Sequence, residues 1–515
     1  MFKKLTLTPI LLSSVSFLAY GADYPEGITP NEIKQELPAV RAQQQPWIEQ
    51  LTKPLEKPVE TNTNQQNKIN AVTNEDLLKN PELLRRLMIE ALNSNNPHLL
   101  SSLTIAYRQY PHADPVLLAR AEGMLARYEG DYRKAVKIYS ELHESQPENT
   151  RISLDTAAIL QADKQWNEAD SLFAEVESVP NLPMEVRDNI RLYREQNKAE
   201  NRWKVDAGGS ITQDKNINDA APRYCLPLGC IEQQPEDAVG LNYFVSVDKN
   251  APIKGNHNLL FRGYMNGVSY YFDKKSEYDN AFGRAYLGWQ YQNARSSLNI
   301  LPFYQWQLAG TNEFADKPTK NHTFGLNMLA HATGVQTAFS HQITPRLQSY
   351  ASAEIYQQNY REDSRALRND GRYYSLFGSL AYRLTPQHTV FGGVGVGVFK
   401  PKNNIVGNRV NNAGNTRHSF NVGWLANWQK LGGLNSRLQV SRTNRRYRGQ
   451  ALNTDFEWER QFNKETTYIF SLSHPKISIG TFTPKLTWER RRTSSTHKWA
   501  ERKQNRLFVE IEKNF

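Results

Sequence analysis

The chain has little sulfur: two cysteines and six methionines in 515 residues. Two cysteines make neither a disulfide scaffold nor a four-thiolate metal site, so ordinary packing has to hold the fold. Long hydrophobic runs are missing too. One largely apolar stretch occurs, Leu5 to Leu18, whereas a bundle of spanning helices needs about 20 apolar residues per span. The chemical signatures HExxH and GxSxG are absent, and Gly392-Gly393-Val394-Gly395-Val396-Gly397 lacks the spacing of a dinucleotide loop. No enzymatic activity, cofactor or metal is expected. The two cysteines, Cys225 and Cys230, flank a Leu-Pro-Leu-Gly turn. In an oxidising compartment they would close a small disulfide loop, since further zinc ligands are not nearby.

Lys3 and Lys4 precede the apolar stretch, and Ala19-Tyr20-Gly21 supplies the small residues of a cleavage site. Residues 1–21 therefore read as a secretory signal peptide. No cysteine follows the cleavage point, so the chain is not expected to be lipidated itself. The net charge is +11 and the sequence pI is near 9.3. In the cytosol this would suggest nucleic acid. For an exported chain it points instead to the phosphates of an outer leaflet or to an acidic protein partner.

Residues 22–73 are polar and carry Pro25, Pro30, Pro38, Pro46, Pro54 and Pro58 with the run Gln43-Gln44-Gln45. This composition predicts a flexible segment, with Trp47 and Ile48 either incidental or a docking point. From 74 to 201 the period becomes helical. Val116 to Asn149 places Gly123, Gly130, Tyr132, Ala135, Tyr139, Leu142 and Pro147 at tetratricopeptide-repeat (TPR) positions. Ala157, Trp166, Ala169, Phe173 and Val176 repeat the scheme, and Leu87, Leu99, Leu103, Ala106 and Pro111 form an earlier, degenerate copy. Three units are about the minimum for such a stack, with the helix from Met184 to Lys198 as its cap. Its concave face, where such domains hold protein partners, should carry Arg120, Met124, Arg127 and Tyr128.

From 202 to 515 the period is two. Leu241, Tyr243, Val245 and Val247 share a face, as do Leu347, Ser349, Ala351, Ala353 and Ile355. Tyr374, Leu376, Leu380, Tyr382 and Leu384 form a third, and Phe420, Val422, Trp424, Ala426 and Trp428 a fourth. The opposite faces hold Gln348, Glu354, Gln358, Asn421 and Asn427. Lipid outside and a polar lumen inside explain that alternation; a soluble two-sheet sandwich would turn its apolar faces inward. Short turns are expected at Lys254-Gly255-Asn256, Asn293-Ala294-Arg295, Thr344-Pro345, Thr385-Pro386, Gly432-Gly433 and Asn463-Lys464. Longer loops are expected near 212–236, 272–279, 310–322, 361–370, 401–415, 446–453 and 493–499. Thirteen connections make fourteen strands, an antiparallel transmembrane β-barrel whose seam joins the strand beginning at Trp203 to the one ending at Phe515.

Two basic clusters, Arg442, Arg445, Arg446 and Arg448, and Arg490, Arg491, Arg492, Arg502 and Lys503, are open to three readings. They bind lipopolysaccharide phosphate, line a rim for acidic cargo, or are solvated loops. Gly393, Gly395 and Gly397 leave one wall bare, for an approaching segment or for curvature.

The order of leader, TPR domain and fourteen-strand barrel resembles the surface lipoprotein assembly modulators, the Slam family of type XI secretion. The segment Gly208-Gly209-Ser210-Ile211-Thr212-Gln213-Asp214-Lys215-Asn216-Ile217-Asn218-Asp219-Ala220 is similar to the opening of that family's barrel. Gly480-Thr481-Phe482-Thr483-Pro484 and the closing Glu512-Lys513-Asn514-Phe515 add to the likeness. The resemblance implies an outer-membrane translocon with a periplasmic TPR domain, moving surface lipoproteins or a secreted haem- or metal-binding protein. Periplasmic chaperones, the barrel assembly machinery and lipopolysaccharide would be its other partners; nucleic acid would not. A diffusion pore or polysaccharide export port with a helical adaptor is the competing expectation.

Overall fold

A computed structural model describes residues 80–94, 96–218, 220–227, 229–310, 325–477 and 482–514. The leader, the segment 22–73 with Trp47 and Ile48, and Phe515 lie outside the described residues. Among the described residues, seven helices precede the barrel: α1 (Pro81–Asn93), α2 (Pro97–Arg108), α3 (Pro115–Glu129), α4 (Tyr132–Ser145), α5 (Thr150–Ala162), α6 (Trp166–Glu177) and α7 (Met184–Glu200). Their starts are written locally. Asn80, Asn96, Asp114, Asp131 and Asn149 each turn a side-chain oxygen onto an amide of the following first turn. Gly130 ends α3 at φ 80°, a conformation glycine adopts without strain.

The helices stack as three antiparallel hairpins capped by α7. A Cβ on Gly123 would lie 2.6 Å from the Tyr139 ring, so the repeat requires glycine there; alanine would overpack the hairpin at a cost of about 1–3 kcal/mol. Tyr139 is fully buried and its hydroxyl donates to the Arg120 carbonyl at 3.0 Å. The next interfaces bury Ala157, Ala169, Phe173 and Val176, and Phe173 stacks on Tyr193 of α7 with ring centroids 5.3 Å apart.

Fourteen strands then close on themselves: β1 (Lys204–Asp214), β2 (Ala238–Lys254), β3 (His257–Ser269), β4 (Asn280–Gln292), β5 (Ser296–Gly310), β6 (Leu326–Thr344), β7 (Leu347–Tyr360), β8 (Gly371–Thr385), β9 (His388–Pro401), β10 (Asn415–Trp428), β11 (Leu434–Leu452), β12 (Trp458–Ser473), β13 (Phe482–Ser495) and β14 (Arg502–Asn514). Each pairs antiparallel with its sequence neighbours, and β14 pairs with β1. Closure leaves no sheet edge to satisfy in lipid. Leu241, Leu376, Leu380, Phe420, Val422, Leu507, Val509 and Ile511 are exposed on the outer wall, as a bilayer requires and a sandwich does not allow.

Five of the expected short turns sit between strands as read. The sixth does not: Asn463 and Lys464 lie inside β12, paired with Arg445 and Asn444 and with Ser495 and Ser494, and β12 continues to Ser473. The loop expected at 446–453 is likewise mostly strand, since β11 runs to Leu452. Both strands are much longer than the ~10 residues that cross a bilayer. Their outer ends are polar on both faces, so polarity there does not mark a turn.

The lumen is polar, as expected, but one side of it is aromatic. Tyr286, Phe303, Tyr356, Tyr373 and Phe399, from β4, β5, β7, β8 and β9, follow one another with centroids 4.4 to 5.9 Å apart. Ala332 of β6 is small enough to let Phe303 meet Tyr356 across it. The bare wall at the β9 glycines is covered by neighbouring strands. A Cβ on Gly393 would meet the Phe377 ring at 2.7 Å, and one on Gly397 the Arg417 guanidinium at 2.9 Å.

Candidate functional site: junction, lumen and seam

The helical domain is joined to the barrel mouth that carries the short turns. The contact is made by the α5–α6 turn, where Asp163 is 5% exposed. Its carboxylate accepts from Asn256 Nδ2 at 3.2 Å and from the Ala294 amide at 3.3 Å, and its backbone carbonyl accepts from Asn256 Nδ2 at 2.6 Å. Next to it, the Gly255 amide donates to Glu168 at 2.6 Å and Asn167 donates to the Pro252 carbonyl at 3.1 Å. Two β-hairpin turns are thus bound by one helical turn. No periodicity signals this junction, because it is made by turn residues far apart in sequence.

The expected concave face is narrower than four residues. Arg120 is tied to Asp155 of α5 at 2.7 Å, and both side chains are largely buried. Met124 is 7% exposed and packs in the core with Leu117 and Ala121, so it offers no surface. Adjacent hairpins press these two positions together. Arg127 is half-buried and Tyr128 exposed, and partial burial lifts the Tyr128 hydroxyl above the usual phenol range. At the far end of the domain, Arg194 of α7 binds Asp170 at 3.0 Å and Glu177 at 2.7 Å. Hydrogen bonds from Arg194 and then Arg191 hold the Glu177 carboxyl below its ordinary value.

Inside the barrel, several cations are matched to anions. Arg284 and Glu354 are both fully buried and 3.0 Å apart. Gln305 and the Tyr286 hydroxyl complete the hydrogen bonds of Arg284, and its guanidinium lies 4.0 Å from the Phe303 ring centre. Across the lumen, Arg445 is 3.3 Å from Glu465, Lys485 is 3.0 Å from Glu510, and Arg491 contacts Glu489. Both basic clusters are therefore split by strand parity: Arg445 and Arg491 face inward, whereas Arg442, Arg446, Arg448, Arg490, Arg492 and Lys503 face outward. That parity was readable from the alternation of Ser441, Thr443 and Tyr447 with their neighbours. Among the described residues, no group of three His, Cys, Asp or Glu side chains could hold a metal ion.

The seam is short. The β1–β14 ladder runs from Asp206–Asn514 to Ile211–Val509, while β1 pairs with β2 over its whole length, from Lys204–Asp248 to Asp214–Ala238. Above the last pair the strands are bridged by side chains, Arg506 to Asp214 at 2.5 Å, and Asp214 also accepts from the Tyr270 hydroxyl at 3.4 Å. Gly208 is required here, since a Cβ would stand 2.5 Å from the Phe244 ring and 2.8 Å from the Ile511 carbonyl. Ile217, in the loop that follows, is fully buried with Ala238, Val268 and Tyr270. Trp203 directly precedes β1, is 57% exposed and packs edge-on against Phe261. Cys225 and Cys230 are joined by a disulfide across a two-stranded ribbon in the β1–β2 loop, at the mouth opposite the helical domain.

A closed fourteen-strand barrel with an apolar wall, carrying a TPR domain on one mouth, defines a β-barrel outer-membrane protein with a helical-repeat domain. Residues 203–515 match the family model "Surface lipoprotein assembly modifier", and residues 70–173 match the model of that family's N-terminal TPR repeats. The chain belongs to the surface lipoprotein assembly modifier family. It is 38% identical to surface lipoprotein assembly modifier 2 of Neisseria meningitidis serogroup B, with 96% of each chain covered. It is 28% identical to a surface lipoprotein assembly modifier of Pasteurella multocida, over 89% of this chain and 88% of the relative. The hemophilin secretion modulator of Acinetobacter baumannii is 21% identical, over 76% of this chain and 77% of the relative.

Proposed function

We propose that this chain is an outer-membrane translocon that moves particular lipoproteins, or a related secreted haem-binding protein, to the cell surface. The names of its relatives support that reading. The observation that carries it is the leash between receptor and seam: α7 ends at Glu200, β1 begins at Lys204, and β1 is one half of the seam. In this reading the TPR domain lies in the periplasm and receives cargo beside a barrel joint whose described ladder is short. Arg127 and Tyr128 are the cargo-facing residues that remain accessible. The chain works without chemistry of its own, by binding and passage. Periplasmic chaperones and the barrel assembly machinery deliver it to the membrane, and lipopolysaccharide surrounds it there.

Deleting residues 71–200 tests the assignment. The barrel should still insert, measured by heat-modifiable gel migration of outer-membrane fractions, while surface display of a co-produced lipoprotein falls. Unchanged display without the helical domain would overturn the proposal.

A further inference from the structure

The lumen cations Arg284, Arg445, Lys485 and Arg491 face carboxylates; a group of cations on the outer wall of β11 to β14 does not, among the described residues. Arg442 of β11 pairs across the sheet with Thr466 of β12, Thr466 with Arg492 of β13, and Arg492 with Lys503 of β14. Three cations therefore lie on one cross-strand row, with Arg490 one tier toward the helical-domain mouth and Lys464 and Arg446 on the tiers beyond. All six are exposed. Among the described residues, none of them forms an ion pair with a carboxylate, and the outward positions of β11 to β14 hold no Asp or Glu. Arg492 and Lys503 are direct cross-strand neighbours, a like-charge pairing that is destabilising on its own.

Two tiers below the Arg442 row the wall turns apolar: Leu438 pairs with Phe470, Phe470 with Trp488, and Trp488 with Leu507. The outward positions of β1, on the other side of the seam, carry Val205, Ala207, Gly209, Ile211 and Gln213 and no cation. The basic field is thus one-sided and stops at the seam. We infer that this wall seats the phosphorylated headgroup of an outer-leaflet glycolipid, its acyl chains lying along the Leu438–Leu507 row and its phosphates supplying the missing counter-charge. Arginine forks suit phosphate oxygens, and the apolar tiers fix how deep the lipid sits. The inference rests on the outer-membrane placement of the barrel and names a lipid site beside its seam.

The test uses full-length protein refolded in detergent free of glycolipid, with bisphosphorylated lipid A as probe and native mass spectrometry as readout. The wild type should retain it and release both the dephosphorylated form and phosphatidylethanolamine. R442Q/R492Q/K503Q should weaken retention about a hundredfold, the loss expected for three charges at an anionic surface. R346Q/K430Q/K476Q, with the same charge loss at the short-turn mouth, should retain the lipid as the wild type does. Equal weakening by both triple variants would reduce the effect to net charge and overturn the site. So would wild-type retention of the dephosphorylated lipid, or undiminished retention by the first variant. Heat-modifiable migration confirms that each barrel is folded, and no cargo is present, so failure here is distinct from failure of the translocon reading.

Discussion

Replacing Asp163 by alanine should loosen the docking of the helical domain without harming either fold. The carboxylate makes two hydrogen bonds across the junction, to Asn256 Nδ2 and to the Ala294 amide, at 3.2 and 3.3 Å. A hydrogen bond to a charged group contributes about 1.5–3 kcal/mol, and bonds of this length belong at the lower end. Their loss should cost about 3 kcal/mol of docking free energy, roughly a hundredfold in the docking equilibrium. The Glu168–Gly255 and Asn167–Pro252 contacts remain, so the domain should be loosened rather than released. Arg295, half-buried beside Gly130, and Lys254, whose scissile bond ends at the Gly255 amide held by Glu168, sit in the two bound turns and offer trypsin sites. When opening is fast relative to cleavage, the cleavage rate follows the open population. Trypsin should therefore cut Asp163→Ala at these turns up to about a hundredfold faster than the wild type. Barrel migration on unheated gels should not change. Unchanged cleavage would refute the junction energetics, and loss of folded migration would show that Asp163 supports the barrel instead.

The remaining predictions concern the lumen, the cap helix and the seam. Glu354→Leu leaves the fully buried Arg284 without its counter-ion and should cost about 3–5 kcal/mol, whereas Arg284→Met with Glu354→Leu should be near neutral. Urea midpoints in vesicles check this, and equal midpoints for the two variants would contradict it. Glu177 has a depressed folded-state pKa, so its contribution is complete above the ordinary value of 4.5 and is lost as pH falls through the lower folded value. Hydrogen exchange in α7, corrected for intrinsic rates, should be flat from neutrality to about pH 5 and rise only below 4.5. Glu177→Gln should remove that dependence; a rise beginning near pH 6 in the wild type would be inconsistent with it. Cysteines at Ile211 and Val509, register partners on the lipid side of the seam, should cross-link on oxidation and stop lipoprotein display reversibly. Display that continues through a locked seam would assign passage to the lumen.

Much of this architecture was legible because two periods differ. Helical spacing placed Gly123, Ala135 and Tyr139 in one tight hairpin, and alternation put Leu376, Leu380, Phe420 and Val422 on lipid. The misplaced turn at Asn463 has a physical cause: above the bilayer both faces of β11 and β12 meet water or lumen, so hydropathy no longer separates strand from loop. Residue type alone also grouped Arg445 with Arg446, although parity sends one to Glu465 and the other to the outer wall. The junction was not readable at all. Asp163 and Asn256 are ordinary turn residues, and Glu168 an ordinary residue of the first turn of α6; their role exists only once the two domains meet. Met124 shows the opposite case: it lies on the expected helix but is buried in the cluster that α3 shares with α1 and α2, among Leu84, Met88, Leu100 and Leu103.

The most direct test is surface display of a co-produced lipoprotein, measured by extracellular protease in cells with and without this chain. The account predicts that the lipoprotein is cut on intact cells only when the chain is present, and is made but protected when it is absent. Equal cutting in both strains would contradict the translocon function.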